Sequence, residues 1–285
     1  MTATHMPGRR RMTSKDKKRT LGILRALAIT VVLSVLLVPI AWMVLASFRR
    51  NLDIVDPSRF LQGAFTMSNY TNVLDRYDFA PFVFNSFFVA FVSTLIALLV
   101  GAPAAYVIAR YRIRNATAFL MLARVLPGVS LLVPWYFVFS NLGLVGGYPV
   151  LIATHVFVTL PFVVAVMAGF FDGVPVDLEE AAQVDGLTRI GAFLRIALPL
   201  SVPGLATSAI LAFIFSWNNF LFALVLSSQQ TRTLPVAISN FTAYASVDWG
   251  GLMAASVIIT LPVMLVALAA QKYVVSGLTA GATKG

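Results

Sequence analysis

The side chains best placed to do chemistry in this 285-residue chain gather in one stretch: Glu179, Glu180 and Asp185, with Ala181 and Ala182 among them and Gly186 and Pro199 after them. Carboxylates with no histidine or cysteine beside them are poorly equipped for nucleophilic or metal chemistry. They accept charge-assisted hydrogen bonds well and are repelled by anionic surfaces. The sequence has no cysteine and two histidines, His5 and His155, so thiolate, zinc and redox chemistry have little material. The expectation is recognition rather than catalysis, with no metal and no cofactor in this chain.

Local signals say how that stretch is held. Pro175 stops the preceding helix, and Asp177 followed by Glu180 has the spacing of a capping box, which predicts a short helix over about 178–185. Ala181 and Ala182 give that helix a smooth surface that another backbone can approach closely. Gly186 suits the left-handed position that ends a helix, and Thr188 reads as a second N-cap. Phe193, Leu194 and Ile196 supply an apolar face before Pro199 closes the unit. Interfacial helices that rest on lipid headgroups are typically basic. This acidic one is better suited to a groove on a soluble partner protein.

The stretch is a polar island in an oily chain: 59% of residues are hydrophobic and 11% charged, with a mean hydropathy of +0.87, whereas soluble domains carry about 25% charged residues. That composition reads as a membrane protein. The net charge of +10 is concentrated in Arg9, Arg10, Arg11, Lys15, Lys17, Lys18 and Arg19, before the first apolar run. Such a cluster reads as a cytoplasmic, positive-inside tail and not as a nucleic-acid arm. A spanning helix needs roughly 20 apolar residues, which gives six candidates at about 26–48, 81–108, 117–140, 149–171, 202–226 and 250–271. The first is too long and unbroken for a signal peptide. An even number places both termini on one side, and Arg110, Arg112 and Arg114 support a cytoplasmic assignment. The segment 49–80 carries balanced charge and is long enough for short interfacial structure.

Pro39, Pro103, Pro127, Pro134, Pro161 and Pro262 fall inside the spans. Pro127, Gly128 and Pro134 make the third span the best candidate for bending. Polar or aromatic groups inside apolar spans are costly unless they face a partner or a cavity. That criterion selects Asn85, Arg124, Trp135, Tyr136, His155, Trp217, Asn218 and Asn219 as candidates for a translocation path. Packing against neighbouring helices explains each of them equally well, and Arg124, one to two turns from the cytoplasmic end of its span, is placed to snorkel. Every Asp and Glu, Asp248 included, lies near or beyond a membrane boundary, which argues against a stand-alone secondary transporter with an internal proton or sodium site.

The pattern Glu-Ala-Ala, three residues, Gly, nine residues, Ile, one residue, Leu-Pro over 180–199 resembles the coupling loop of binding-protein-dependent ABC importer permeases. Trp217-Asn218-Asn219-Phe220, Asn85-Ser86, Leu160-Pro161-Phe162 and the C-terminal Gly277–Gly285 stretch are similar to the carbohydrate branch, the MalG-like permeases of maltose-type transporters. The resemblance runs from about residue 26 to the end. It implies an all-α polytopic membrane protein of the type I ABC importer permease fold, with six transmembrane helices and a cytoplasmic coupling helix. Residues 1–25 would form a cytoplasmic tail, 26–271 the permease domain with its coupling loop at 172–201, and 272–285 a cytoplasmic C-terminal tail.

By the same resemblance, Glu179, Glu180, Ala181, Ala182, Asp185, Gly186 and Pro199 would couple to an ATPase, with Glu180 forming charge-assisted bonds within the element or to that ATPase. Thr279, Gly281 and Lys284 would touch it from the tail. The implied partners are a MalF-like permease, an ATPase dimer that binds ATP and Mg, an extracytoplasmic sugar-binding protein and membrane lipid, in a bacterial cytoplasmic membrane, and no nucleic acid. The implied cargo is a disaccharide or oligosaccharide like maltose or trehalose, with glycerol 3-phosphate or another polyol as the alternative.

Overall fold

The computed structural model describes the backbone of residues 14–282 apart from 61, 123, 244 and 245, and side chains within 21–269 apart from 57, 60, 61, 114, 123 and 242–246. It is overwhelmingly helical, as expected where long apolar runs must satisfy their own backbone groups. Among the described residues four segments are long and apolar enough to cross a bilayer. They are Leu21–Ser47, within α1 (Ser14–Ser47); α5 (Phe79–Arg110); α8 (Tyr148–Asp172); and Trp249–Ala269, within α15 (Trp249–Ala282). Between α1 and α5 lie three short helices, α2 (Asn51–Val55), α3 (Pro57–Phe60) and α4 (Ser68–Thr71), and a π-helical turn over Asn72–Arg76.

Helices α5 and α8 run parallel, in register along their length. At one end the Tyr148 hydroxyl donates to Asn85 Oδ1 at 2.7 Å. Midway, a methyl group on Gly101 would stand 2.8 Å from Val163 Cγ1. At the other end Arg110 Nη1 donates to the Phe171 carbonyl at 2.8 Å. Helix α12 (Val202–Trp217) packs antiparallel against both. Its Gly204 lies under the Phe170 ring, and its Ser216 hydroxyl meets Ser93 at 2.9 Å and His155 Nδ1 at 2.7 Å. Ala97, Ala102, Ala105, Val163, Met167 and Phe171 fill the seam near the Arg110 end. Close backbone approach through small residues is how membrane helices associate without a hydrophobic driving force. Gly204→Ala should therefore push a Cβ into Phe170 and lower stability by about 1–3 kcal/mol. A melting temperature of the purified chain unchanged by that substitution would contradict the packing described.

Two expected spans are not continuous helices. The third, 117–140, is divided into α6 (Arg114–Leu122) and α7 (Gly128–Asn141). Arg124 and Val125 bond back only three residues, to Met121 and Leu122, and Pro127 then adopts an extended ψ of 126° at the cap of α7. At 1.5 Å per residue α7 is about 21 Å long, short of the roughly 30 Å hydrocarbon core. The fifth, 202–226, is α12 followed after Asn218–Phe220 by α13 (Leu221–Leu226), and it meets the preceding segment Arg189–Leu200 at 75°.

At the end of the molecule away from Arg110, polar side chains tie the ends of helices together. Asn69 donates to the carbonyls of Ser47 and Arg49, both at 2.8 Å. Asn51 donates to Asp248 at 3.1 Å and accepts from the Gly250 amide at 2.7 Å. Asp248 also accepts from the Gly251 amide at 2.9 Å, capping α15, and from the Tyr77 hydroxyl at 3.3 Å. Partial burial and the Asp248 carboxylate push the Tyr77 hydroxyl above its usual range, so it stays a donor. The chain then runs through α14 (Leu234–Ala237), a 3-10 turn over Ile238–Phe241 and an antiparallel ladder of β1 (Thr242–Ala243) with β2 (Ser246–Val247) into α15.

Candidate functional site

The acidic stretch forms a helix, a glycine turn and a second helix at the Arg110 end. The first helix, α9 (Val176–Val184), starts two residues earlier than the spacing predicted, because Pro175 with its fixed φ takes the cap position. The capping box is not formed: Asp177 and Glu179 instead sit in the first turn, where negative charge favours the helix dipole. Gly186 has φ +95° and accompanies two closing bonds, Gly186 N to Gln183 O and Leu187 N to Ala182 O, both at 3.0 Å. That is the left-handed Schellman end expected of it. Thr188 accepts from the Gly191 amide at 3.1 Å and starts α10 (Arg189–Ala192). A π-helical turn over Phe193–Ala197 leads to α11 (Leu198–Leu200), so Pro199 lies inside the last turn and the element closes just after it.

The two glutamates divide into an inward and an outward one. Glu179 is 3% exposed and not Glu180 but Glu179 makes the internal charge-assisted bonds. Arg110 Nε donates to its Oε1 at 2.7 Å, Arg110 Nη2 pairs with the same oxygen, and the Tyr106 hydroxyl donates to Oε2. The remaining Arg110 donors reach the Phe171 and Val174 carbonyls. The alanines divide too: Ala182, one turn from Glu179, is buried, while Ala181 faces out. Glu180, Ala181, Asp185 and Gly186 are exposed, alongside Val184 at 88% and Ile190 at 70%. A cavity of about 510 Å³ lies beneath, lined by Pro103, Tyr106, Glu179, Gln183, Arg189 and Phe193 among others. Arg189 reaches the Tyr111 hydroxyl at 2.8 Å.

Sequence reasoning missed Tyr106, Tyr111 and Arg189, and used Arg110 only as a topological marker. Spacing alone offered no signal, because Glu179 with Ala182, Glu180 with Gln183 and Ala181 with Val184 are all three residues apart on a helix face. Thr279 and Gly281 lie on the backbone of α15, which continues to Ala282. Lys284 lies outside the described residues.

The intramembrane candidates do not form one site. Asn85 is 2% exposed and spends its amide on the Gln230 and Arg232 carbonyls at 2.8 and 2.9 Å. His155 is 1% exposed, on Ser216. Trp217 is buried and donates to the Ile259 carbonyl at 3.2 Å. Asn219 accepts from the Phe222 amide at 3.2 Å, capping α13, and the exposed Asn218 bonds its own helix at Ile214. Trp135 packs on Phe139, Phe157 and Phe222, and Tyr136 is exposed. Arg124 sits at the break in the third span, its guanidinium 5.5 Å from the Phe162 ring and 5.2 Å from the Phe215 ring.

Residues 97–280 match a family described as the binding-protein-dependent transport system inner membrane component. The chain is 36% identical to the sulfoquinovosyl glycerol transport system permease protein SmoH of Agrobacterium fabrum, over 92% of this chain and 94% of that one. It is 36% identical to the trehalose/maltose transport system permease protein MalG of Thermococcus litoralis, over 96% of this chain and 100% of that one. Among solved structures, a chain of a bacterial ABC transporter involved in import of the acidic polysaccharide alginate superposes with a TM-score of 0.75. It is 22% identical, and the match covers 92% of this chain and 98% of that one.

Proposed function

The chain belongs to the family of binding-protein-dependent transport system inner membrane components, and from that premise we propose that it is the permease subunit of an ATP-driven importer of a disaccharide or oligosaccharide. The observation that carries the reading is the helix, glycine turn and helix at 176–200. It is anchored inward by Glu179 on Arg110 and presents Glu180, Ala181, Asp185, Val184 and Ile190 outward. A rigid element with a small-residue, acidic and apolar outer face fits a groove on a cytoplasmic ATPase that binds ATP and Mg. Gly186 sets its angle and Pro199 lies where it joins α12. The carbohydrate cargo is supported by relatives named for trehalose/maltose and sulfoquinovosyl glycerol transport.

Six crossings are supported by the directions of the helices. Because α5 and α8 run parallel, residues 111–147 must return between them, as the broken pair α6 and α7. Residues 202–226 lead from the Arg110 end back to the Tyr148 end, where Gly146 N donates to the Leu226 carbonyl. Helices α1 and α15 meet at the Asn51–Asp248 end. On this reading Arg110, Arg112, Arg114 and both termini are cytoplasmic in a bacterial plasma membrane. Residues 1–25 form a basic tail, 26–271 the permease domain, and 272–285, with Thr279, Gly281 and Lys284, touch the ATPase. A second permease completes the pathway and an extracytoplasmic binding protein delivers the cargo.

Proteoliposomes provide the test, with uptake measured for a panel of radiolabelled maltose, trehalose and a glucuronate-containing disaccharide. Uptake of a panel member should require internal ATP, the ATPase, the partner permease and the binding protein together. Uptake by this chain alone would overturn the reading in favour of a stand-alone transporter.

A further inference from the structure

Arg124 lies deep in the membrane, not at its edge. Arg110, bonded to the Phe171 carbonyl, marks the basic end of the bundle. From Asp172 back to Phe162 the helical rise places the Phe162 ring about 15 Å inside that end, near the middle of a roughly 30 Å hydrocarbon core. Phe215, 13 residues into α12 (215 − 202), lies about 20 Å inside the same end, its ring 5.5 Å from that of Phe162. The guanidinium carbon stands 5.5 and 5.2 Å from these two ring centroids, so the charged head lies within that distance of their depth and does not reach the basic end.

A charge at mid-membrane is costly unless it faces a cavity or a partner. Among the described residues no carboxylate pairs with Arg124, in contrast to Arg110, which is held by Glu179. The cation instead stands against Phe162 and Phe215, themselves edge to face at 5.5 Å. Contact with aromatic faces uses none of the planar N–H fork, which stays available for bidentate contact with an anion. Arg124 also lines a cavity of about 190 Å³ with Gly128, Leu131, Phe157, Pro161 and Phe222. Phe157 and Phe222 are the rings against which Trp135 packs, at 5.0 and 6.1 Å. Planar apolar faces beside a forked donor are the complement of a sugar ring that carries an acidic group.

We propose that Arg124, held at the break between α6 and α7, lines the translocation pathway and recognises an anionic group, a carboxylate, sulfonate or phosphate, on the carbohydrate that passes. The inference rests on the reading of the chain as a carbohydrate permease and narrows its cargo to acidic members. Phe162 and Phe215 orient the guanidinium, and the break supplies the room beside it.

Two measurements on the assembled transporter, with its partner permease, ATPase and binding protein, test this. The chain has no cysteine, so Arg124→Cys makes a single reporter. Its thiol should react with the water-soluble sulfonatoethyl methanethiosulfonate; a thiol that stays unlabelled means position 124 is sealed against lipid or the partner permease, and overturns the proposal. Uptake is then compared for maltose, a glucuronate-containing disaccharide, a sulfonate-bearing disaccharide and a disaccharide phosphate. The parent should prefer one of the three acidic sugars, and which one separates a carboxylate, a sulfonate and a phosphate cargo. Arg124→Gln should lower the acidic-to-neutral uptake ratio by about tenfold or more, and Arg124→Lys should restore part of it. A ratio unmoved by Arg124→Gln, or a parent that prefers maltose, overturns the proposal while leaving the carbohydrate reading intact. Uptake of trehalose but of none of the acidic sugars, despite labelling at 124, overturns this inference and keeps the carbohydrate reading; uptake of no sugar in either panel overturns both.

Discussion

Glu179→Ala should abolish ATP-driven uptake and loosen the helix at 176–184 without removing the chain from the membrane. The carboxylate is 3% exposed and its partner Arg110 only 12% exposed at the side chain. Breaking a buried pair by deleting one member costs about 3–5 kcal/mol, because the remaining charge is left uncompensated. Here that charge would be Arg110, which also holds the carbonyls at the end of α8. The loss is local, since α9 is short and touches its own chain through little besides Glu179 and Ala182. Hydrogen exchange over 176–184 should rise in the variant while α5 and α8 stay protected. Glu179→Gln keeps an acceptor and should lie between, at about 1–3 kcal/mol. Glu180→Ala is the contrast: an exposed side chain whose removal should leave exchange unaltered and weaken ATPase attachment. Parent-like exchange and uptake in Glu179→Ala would refute the clamp.

That pair also explains how a motion would pass through the chain. With Glu179 fastened to Arg110, a push on α9 would be expected to carry α5 with it, and α8 along their parallel seam. A displacement imposed on the exposed face of α9 would therefore reach the membrane helices through a charge pair and not through a flexible loop. Coupling of this kind is limited by the difference in contacts between the two end states, so slack at Glu179 subtracts from it directly.

How much of this was legible follows from how local each signal is. Gly186 and Thr188 were readable because a left-handed helix end and an N-cap are decided within a few residues. The apolar runs of α1, α5, α8 and α15 were readable because length alone sets a span. The third span was readable as the one to bend, from Pro127, Gly128 and Pro134, but the exact point of its break was not, since Pro134 is absorbed inside α7 while Pro127, of identical type, becomes a cap. What separates them is Gly128 and the closing turns at Arg124 and Val125, not composition. Asn85 shows the other limit: its acceptors are the carbonyls of Gln230 and Arg232, distant in sequence, so a polar residue fit for a pathway turned out to fasten a loop. Glu179 and Glu180 are adjacent and chemically identical, and only the position of Arg110 tells which faces inward.

Gly186→Val should leave insertion, assembly and ATP hydrolysis in place and cut uptake sharply. The backbone at 186 has φ +95°, a region open to glycine and strained for a β-branched residue by about 1–3 kcal/mol. Nothing lies within 4 Å of a Cβ built there, so the penalty is conformational and no repacking can relieve it. The turn would relax towards negative φ and swing α10 relative to α9, changing the angle at which the outer face meets its partner. Because Glu179 and Arg110 lie upstream of the turn, α9 would remain anchored and the ATPase would still bind, now geared to an element pointing elsewhere. The expected signature is uncoupling: hydrolysis stimulated by the binding protein persists while transport per ATP falls by about tenfold or more, the equivalent of some 1.4 kcal/mol of lost coupling. Gly186→Asn, whose side chain tolerates positive φ better, should retain more transport than Gly186→Ala, and both more than Gly186→Val. Full uptake by the valine variant, or loss of assembly in all three, would show that the turn at Gly186 does not set the coupling angle.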